Sequence, residues 1–202
     1  MRKLAIIHPS KIAMRRKANK RIDAVPEWDE YFMGIAIAAS QRANCLRGSY
    51  RVGAVLIRDQ RIISTGYNGT PSKAGDCLRA GCHYCYLKSQ GKGASKETCT
   101  CVHAEQNALL ASARFGIAVD GSIVYTTVEP CFTCSKELLQ AKVRRIVFCR
   151  AWGDDLKVRE REALRAVQAR FPDGVAQLDL ALPLALKIEY SESMRTEHRL
   201  AA

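Results

Sequence analysis

Two short stretches, "CVHAEQNALL" from residue 101 and "EPCFTC" from residue 129, restrict the fold of this chain more than anything else in it. His103 opens one predicted helix; Cys131 and Cys134 stand three apart at the predicted start of another. Side chains at that spacing share a helix face, and the unpaired N–H groups of a helix N-terminus stabilise thiolates. Two soft ligands are thereby aimed at one point, and the imidazole can supply a third to the same zinc ion. For the three to meet, two helix N-termini have to meet.

Three protein ligands leave a fourth position for water, the arrangement of a catalytic rather than a structural zinc. Glu105 points the same way. A structural site has no use for a carboxylate two residues from a ligand, whereas hydrolysis needs a base for the proton that water loses. Because Cβ vectors in a helix tilt toward its N-terminus, His103 and Glu105 both reach past that end. A lone Cys-x-x-Cys is often half a zinc ribbon, and a lone His-x-Glu means little. In this order, each opening a helix, they form the signature of zinc deaminases that act on nucleobases.

The rest of the chain alternates. "PEWDEYFMGIAIAASQRANC" (26–45) predicts a helix with Pro26 in its first turn and Phe32, Ile35, Ala36 and Ala39 on one face. "VGAVLIRDQRIISTGYNGT" predicts two strands joined at Arg58 to Gln60, followed by an Asn-Gly turn signal. Residues 103–114 read as a helix stopped near Gly116, "GSIVYTTVEP" as a strand, "CFTCSKELLQAK" as a helix, "RRIVFCR" as a strand and "DDLKVREREALRAVQARF" as a charged amphipathic helix. Such alternation predicts an α/β fold with helices on both faces of one sheet. Beyond residue 171, "VAQLDLALPLALKIEY" offers a further strand or a cover for the sheet edge, interrupted by Pro183.

A chain of 202 residues, 48% hydrophobic and 26% charged, suits one core rather than two. No apolar run is long enough for a membrane span, and the N-terminus lacks the apolar stretch of a secretory signal, so a cytoplasmic location is expected. The formal charge of +12 would favour a nucleic-acid partner. Its distribution argues otherwise, because residues 1–22 hold eight basic side chains and no acid, leaving +4 for the remainder. The expected organisation is a basic extension (1–25), a catalytic domain (26–171) with a Cys-rich insert (72–102), and a C-terminal extension (172–202). The basic extension reads first as a solvated tail, and otherwise as an arm for phosphates or anionic surfaces or a targeting segment.

Nine cysteines in a chain without a secretory signal favour metal over disulfides. Cys149, inside an apolar strand, reads as a small buried hydrophobe. The insert has no periodicity and is too long for an ordinary connection, so something other than a core must organise it. Its thiols, Cys77, Cys82, Cys85, Cys99 and Cys101, exceed what one tetrahedral site needs, and a second, closed zinc would pin the segment.

On "WDEYFMGIAIAASQRANC", "VGAVLIRDQRIISTGYNGTP", "CVHAEQNALL" and "EPCFTC", in that order, residues 27–150 resemble the deoxycytidylate (dCMP) deaminases. The insert with "ETCTCVHAEQNALL" looks most like members from fungi and some bacteria. The resemblance implies a cytidine deaminase-like three-layer α/β/α sandwich with a central mixed sheet, and hydrolysis of dCMP to dUMP with one catalytic zinc on His103, Cys131 and Cys134. Glu105 would shuttle protons to N3 and to the departing amine. The same resemblance gives Asn68 to the deoxyribose hydroxyl, against a local reading as a turn residue. The Ala104 N–H would bind the base carbonyl. Glu129 would accept from the substrate amine, or cap its helix. Arg42 would grip the phosphate, against a reading as an ordinary surface arginine; the family usually has Arg-Ser where this chain has Arg42-Ala43. A second zinc is expected on four of Cys45, Cys77, Cys82, Cys85, Cys99 and Cys101, with His83 less favoured. Homo-oligomers with dCTP and dTTP as effectors are also implied. Competing readings are a nucleoside or tRNA deaminase and a non-enzymatic zinc-knuckle protein that binds nucleic acid.

Overall fold

The computed structural model describes residues 25–45, 51–75, 77, 82–93, 98–152 and 157–179, and the structural statements below concern these. Most of the basic extension, and Pro183, lie outside them.

Helix α1 (Trp28–Ser40) opens with the Glu30 carboxylate accepting from the Glu27 N–H at 3.3 Å. Pro26 therefore precedes the helix instead of lying in its first turn. The buried face is Phe32, Met33, Ala36 and Ser40, rotated from the expected one because the helix backbone rests on Gly53. A Cβ there would come within 2.0 Å of the Ala36 carbonyl oxygen.

Strands β1 (Gly53–Arg58) and β2 (Arg61–Tyr67) form an antiparallel hairpin. Asp59 and Gln60 both take positive φ, 51° and 57°, as a two-residue turn matched to strand twist requires. The expected Asn-Gly turn does not form. Gly69 continues onward and exchanges two backbone hydrogen bonds with Val102, at 2.8 and 3.1 Å. Asn44 fixes this crossing by accepting from the Thr70 N–H at 3.2 Å.

After a short helix α2 (His83–Ser89) come α3 (Ala104–Arg114), β3 (Ile123–Val128), α4 (Phe132–Gln140), β4 (Arg145–Arg150), α5 (Val158–Gln168) and β5 (Val175–Gln177). The sheet order is β2-β1-β3-β4-β5, with β1 antiparallel to both neighbours and β3, β4 and β5 parallel. The sheet is mixed, as expected, and its fifth strand comes from the segment beyond residue 171.

Both faces of the sheet are buried. Val55, Ile57, Tyr125 and Val147 pack with Phe32, Met33 and Ala36 of α1. Ala54, Leu56, Val124 and Ile146 pack on the opposite side with Ala104 and Ala108 of α3 and Leu138 of α4. α5 packs against α4. The result is three layers, α/β/α. Strand alternation thus sorts one hairpin's residues between two cores. A part-buried triad holds the α1 layer to the sheet, since Asp29 accepts from Arg145 at 2.8 and 3.1 Å and from the Tyr125 hydroxyl at 2.8 Å. No helix among the described residues is long and apolar enough to cross a membrane.

Candidate active site and metal centres

The two motifs meet where the sequence requires. His103 is the residue immediately before α3 and Cys131 the residue before α4, both in extended conformation. His103 Nδ1 lies 3.3 Å from Cys134 Sγ and 3.5 Å from Cys131 Sγ. The three donor atoms lie within 4.8 Å of one another, and one imidazole with two thiolates is a zinc-type donor set. Cys134 is buried, Cys131 half-buried and His103 exposed, so the centre opens on the histidine side.

The electrostatics suit a cation. The hydrogen bond from Cys134 pulls Cys131 down to about 4 against the opposing effect of burial, and His103 adds to the pull. The same contact with Cys131 raises His103 to about 9, while Cys131 and burial push Cys134 well up. These donors share protons that a divalent ion displaces on binding.

Glu105, in the first turn of α3, is 4% exposed, and burial pushes its carboxyl above the ordinary range. Its charge acts on both His103 and Cys134. The buried Thr126 hydroxyl lies 3.1 Å from Glu105 Oε1 and 3.2 Å from the Val128 carbonyl oxygen. It has one proton to give. It donates to the carboxylate; once Glu105 is protonated, it accepts from Glu105 and donates to Val128. Thr126 therefore keeps the acid satisfied in either state.

Several contacts fix the α3 end. The His103 N–H donates to Gln106 Oε1 at 3.1 Å, and Gln106 Nε2 donates to Glu137 of α4 at 3.1 Å, tying the start of α3 to the body of α4. Asn107 donates to the Tyr67 carbonyl at 2.7 Å. The sequence reading did not single out Gln106 or Thr126. Gln106 carries a signal, the three-residue spacing of a capping box, whereas Thr126 has only its inward place on β3.

The expected substrate contacts divide. Ala104, fully buried, presents its N–H in the first turn of α3. Asn68 is buried and its φ is not positive, so it is not a left-handed turn residue; its Oδ1 accepts from the Val52 N–H at 2.7 Å. Arg42 is exposed just beyond α1. Glu129 caps no helix. Its carboxylate accepts from the Trp152 N–H (3.1 Å), Arg161 (3.3 Å) and Gln168 (3.2 Å), because α5 delivers a cation and an amide to it. The alternative reading of Glu129 as a helix cap is corrected accordingly: its carboxylate anchors α5. Glu129→Ala would remove the buried acceptor that Arg161, Gln168 and the Trp152 N–H share. The expected cost is about 2–3 kcal/mol, read as a lower denaturation midpoint with little change in substrate KM.

The insert builds a second thiol cluster. Cys77, Cys82, Cys85 and Tyr84 are buried together, with Cys45, Cys99 and Cys101 packed against them. Cys82 and Cys85 flank the start of α2, a helix that the sequence pattern did not reveal. Cys82 Sγ lies 3.8 Å from Cys99 Sγ and accepts from the Thr100 N–H at 3.4 Å. Although burial raises it, the backbone N–H groups of Cys85 and Thr100 and the neighbouring thiols bring Cys82 down to about 6. His83 is exposed and joins none of the thiol groups. None of the nine cysteines is in a disulfide, and Cys149 packs against the α1 core as a small hydrophobe.

Fold and site together define a zinc-binding α/β protein with a His-Cys-Cys centre beside a buried acid. Residues 26–150 match the cytidine and deoxycytidylate deaminase zinc-binding region, and the chain belongs to that family. It is 42% identical over 130 residues to the deoxycytidylate deaminase of Schizosaccharomyces pombe, an alignment covering 64% of this chain and 39% of that one. The Mycobacterium phage D29 deoxycytidylate deaminase is 42% identical over 132 residues, covering 61% and 94%. This chain thus spans about two fifths of the S. pombe protein and nearly all of the phage one. The dCMP deaminase of cyanophage S-TIM5, solved in complex with dCMP and dUMP, superposes with a TM-score of 0.55 at 29% identity, over 77% of this chain and 98% of that one.

Proposed function

We propose that this chain hydrolyses dCMP to dUMP and ammonia, supplying deoxyuridylate for dTMP synthesis, with His103, Cys131 and Cys134 holding the catalytic zinc. The observation that carries this reading is the buried Glu105 carboxyl beside a three-donor centre open on one side. Zinc bound there supplies the Lewis acidity that makes water a nucleophile near neutral pH. The remaining work falls to the chain. Glu105 takes the proton that water loses and delivers it to N3 as oxygen adds to C4; the same carboxyl then takes the proton of the new C4 hydroxyl and gives it to the amino group as the C4–N bond breaks and the C4 carbonyl forms. The Ala104 N–H holds the base carbonyl, and Asn68, oriented by Val52, holds the deoxyribose hydroxyl. The family resemblance and the relatives' names support a mononucleotide substrate.

Arg42 is assigned to the 5′-phosphate, since a guanidinium fork matches a phosphate monoester. Arg42→Ala should raise KM for dCMP by about 10- to 100-fold, the loss of one charged hydrogen bond, and leave KM for deoxycytidine unchanged. An equal effect on both substrates would sink the assignment.

A second, structural zinc is assigned to four of the six thiols that the insert and Cys45 bring together. Thiol ligands that stay reduced suit a cytoplasmic location. A homo-oligomer with dCTP and dTTP as effectors completes the reading. The decisive assay compares turnover of dCMP, cytidine, deoxycytidine and a tRNA anticodon stem, with and without dCTP. Deamination of dCMP at the highest kcat/KM supports the proposal; deamination of the RNA alone overturns it.

A further inference from the structure

The six clustered thiols, Cys45 and five from the insert, are arranged for more than one ion. Three groups of three have their sulfurs within 4.8 Å of one another: Cys45, Cys77 and Cys101; Cys77, Cys82 and Cys85; Cys82, Cys99 and Cys101. Cys77, Cys82 and Cys101 each belong to two of these groups, while Cys45, Cys85 and Cys99 each belong to one. It follows that the three shared sulfurs also lie within 4.8 Å of one another, forming the middle of the cluster with one further thiol on each side.

Zinc–sulfur bonds of about 2.3 Å put two sulfurs of one tetrahedral ion about 3.8 Å apart, the separation found between Cys82 and Cys99. One ion needs four thiolates and leaves two thiols in contact with its ligands. Two ions need eight ligand positions. Six thiolates supply eight when two of them bridge, and three sulfurs here each belong to two of the groups. From these shared sulfurs we infer that the thiol cluster goes beyond the single ion on four thiols assigned above and binds two zinc ions, with two of Cys77, Cys82 and Cys101 bridging and every one of the six thiols ligated.

Such a cluster would close the insert on itself and join it to the catalytic centre. Cys45 follows α1, Cys82 and Cys85 flank the start of α2, and Cys101 stands two residues before His103. Between Cys101 and His103, Val102 is held by Gly69. Ligation of Cys101 would thus fix the strand that delivers the catalytic histidine.

The inference rests on the insert holding metal at all, and the test separates the two. The full chain is purified from zinc-supplemented medium, and its zinc is counted by native mass spectrometry. Three ions per chain are expected, falling to two in the Cys131→Ser/Cys134→Ser variant, whose substitutions lie outside the cluster. The chain is then loaded with cadmium-113. Two resonances in the all-thiolate region, coupled to each other through shared sulfur, are the expected result. Two ions per chain, one of them in the insert, would leave the single structural zinc standing and overturn the cluster. One ion per chain would overturn both. Two insert resonances without mutual coupling would remove the bridging thiolates. The wild-type chain and this one variant give all the readings, so no cysteine of the cluster has to be replaced.

Discussion

Glu105→Gln should lower kcat for dCMP by roughly a thousandfold or more while leaving bound zinc unchanged. The size follows from what the residue is assigned to do, since one positioned acid–base group contributes about 10²- to 10⁴-fold per transfer and Glu105 is given two transfers. Glutamine keeps the shape and can still bond the Thr126 hydroxyl, as donor or acceptor, but cannot take up and release a proton. The metal donors are untouched, because the three donor atoms belong to His103, Cys131 and Cys134. The substitution also removes an ionisable group from a site that is 4% exposed, so the fold should lose nothing. Turnover and zinc content, measured on the same preparation, decide the matter. Wild-type turnover would end the acid–base role, and loss of zinc would place Glu105 among the ligands. A zinc-knuckle protein would show neither change in its metal nor any deaminase activity to lose.

The meeting of His103, Cys131 and Cys134 was legible in the sequence because their spacing is local. Cys131 and Cys134 are fixed relative to each other by one helical turn, and His103 and Glu105 by another, so only the meeting of the two helix starts had to be supplied by the fold. The strand and helix alternation and the Asp59-Gln60 hairpin were legible for the same reason. What escaped depends on neighbours far along the chain. Asn68-Gly69 has turn chemistry, yet Val102 and Val52 hold it extended. Glu129 sits beside a ligand motif, yet its carboxylate answers to Arg161 and Gln168 on α5. Helix α2, seven residues long, is too short to repeat an apolar face, and it is held by Cys82, Tyr84 and Cys85. Where a residue's partner is a distant hydrogen-bond donor or a shared thiol, periodicity has nothing to report.

The position of α3 depends on an atom that is missing. Gly66 of β2 lies beneath the helix, and a Cβ there would fall 2.1 Å from the Ala104 carbonyl oxygen and 2.5 Å from the Ala108 N–H nitrogen. Both are backbone atoms of a hydrogen-bonded helix, so no rotamer change relieves the clash. Gly66→Ala should therefore push α3 away from the sheet, breaking the contacts of Asn107 with Tyr67 and of Ser64 with Ala108. The expected loss is about 4 kcal/mol or more, the range reserved for disrupted cores. Because His103 and Glu105 ride on the start of the same helix, whatever still folds should bind zinc weakly and turn over little substrate. Gly34, in the middle of α1 with nothing within 4 Å of its would-be Cβ, gives the control. There the same substitution should stabilise by about 0.5–1 kcal/mol through helix propensity alone. Opposite signs from one added methyl would establish that α3 is placed by contact with the sheet backbone. A Gly66→Ala protein with wild-type midpoint and zinc content would show that the helix has room to spare.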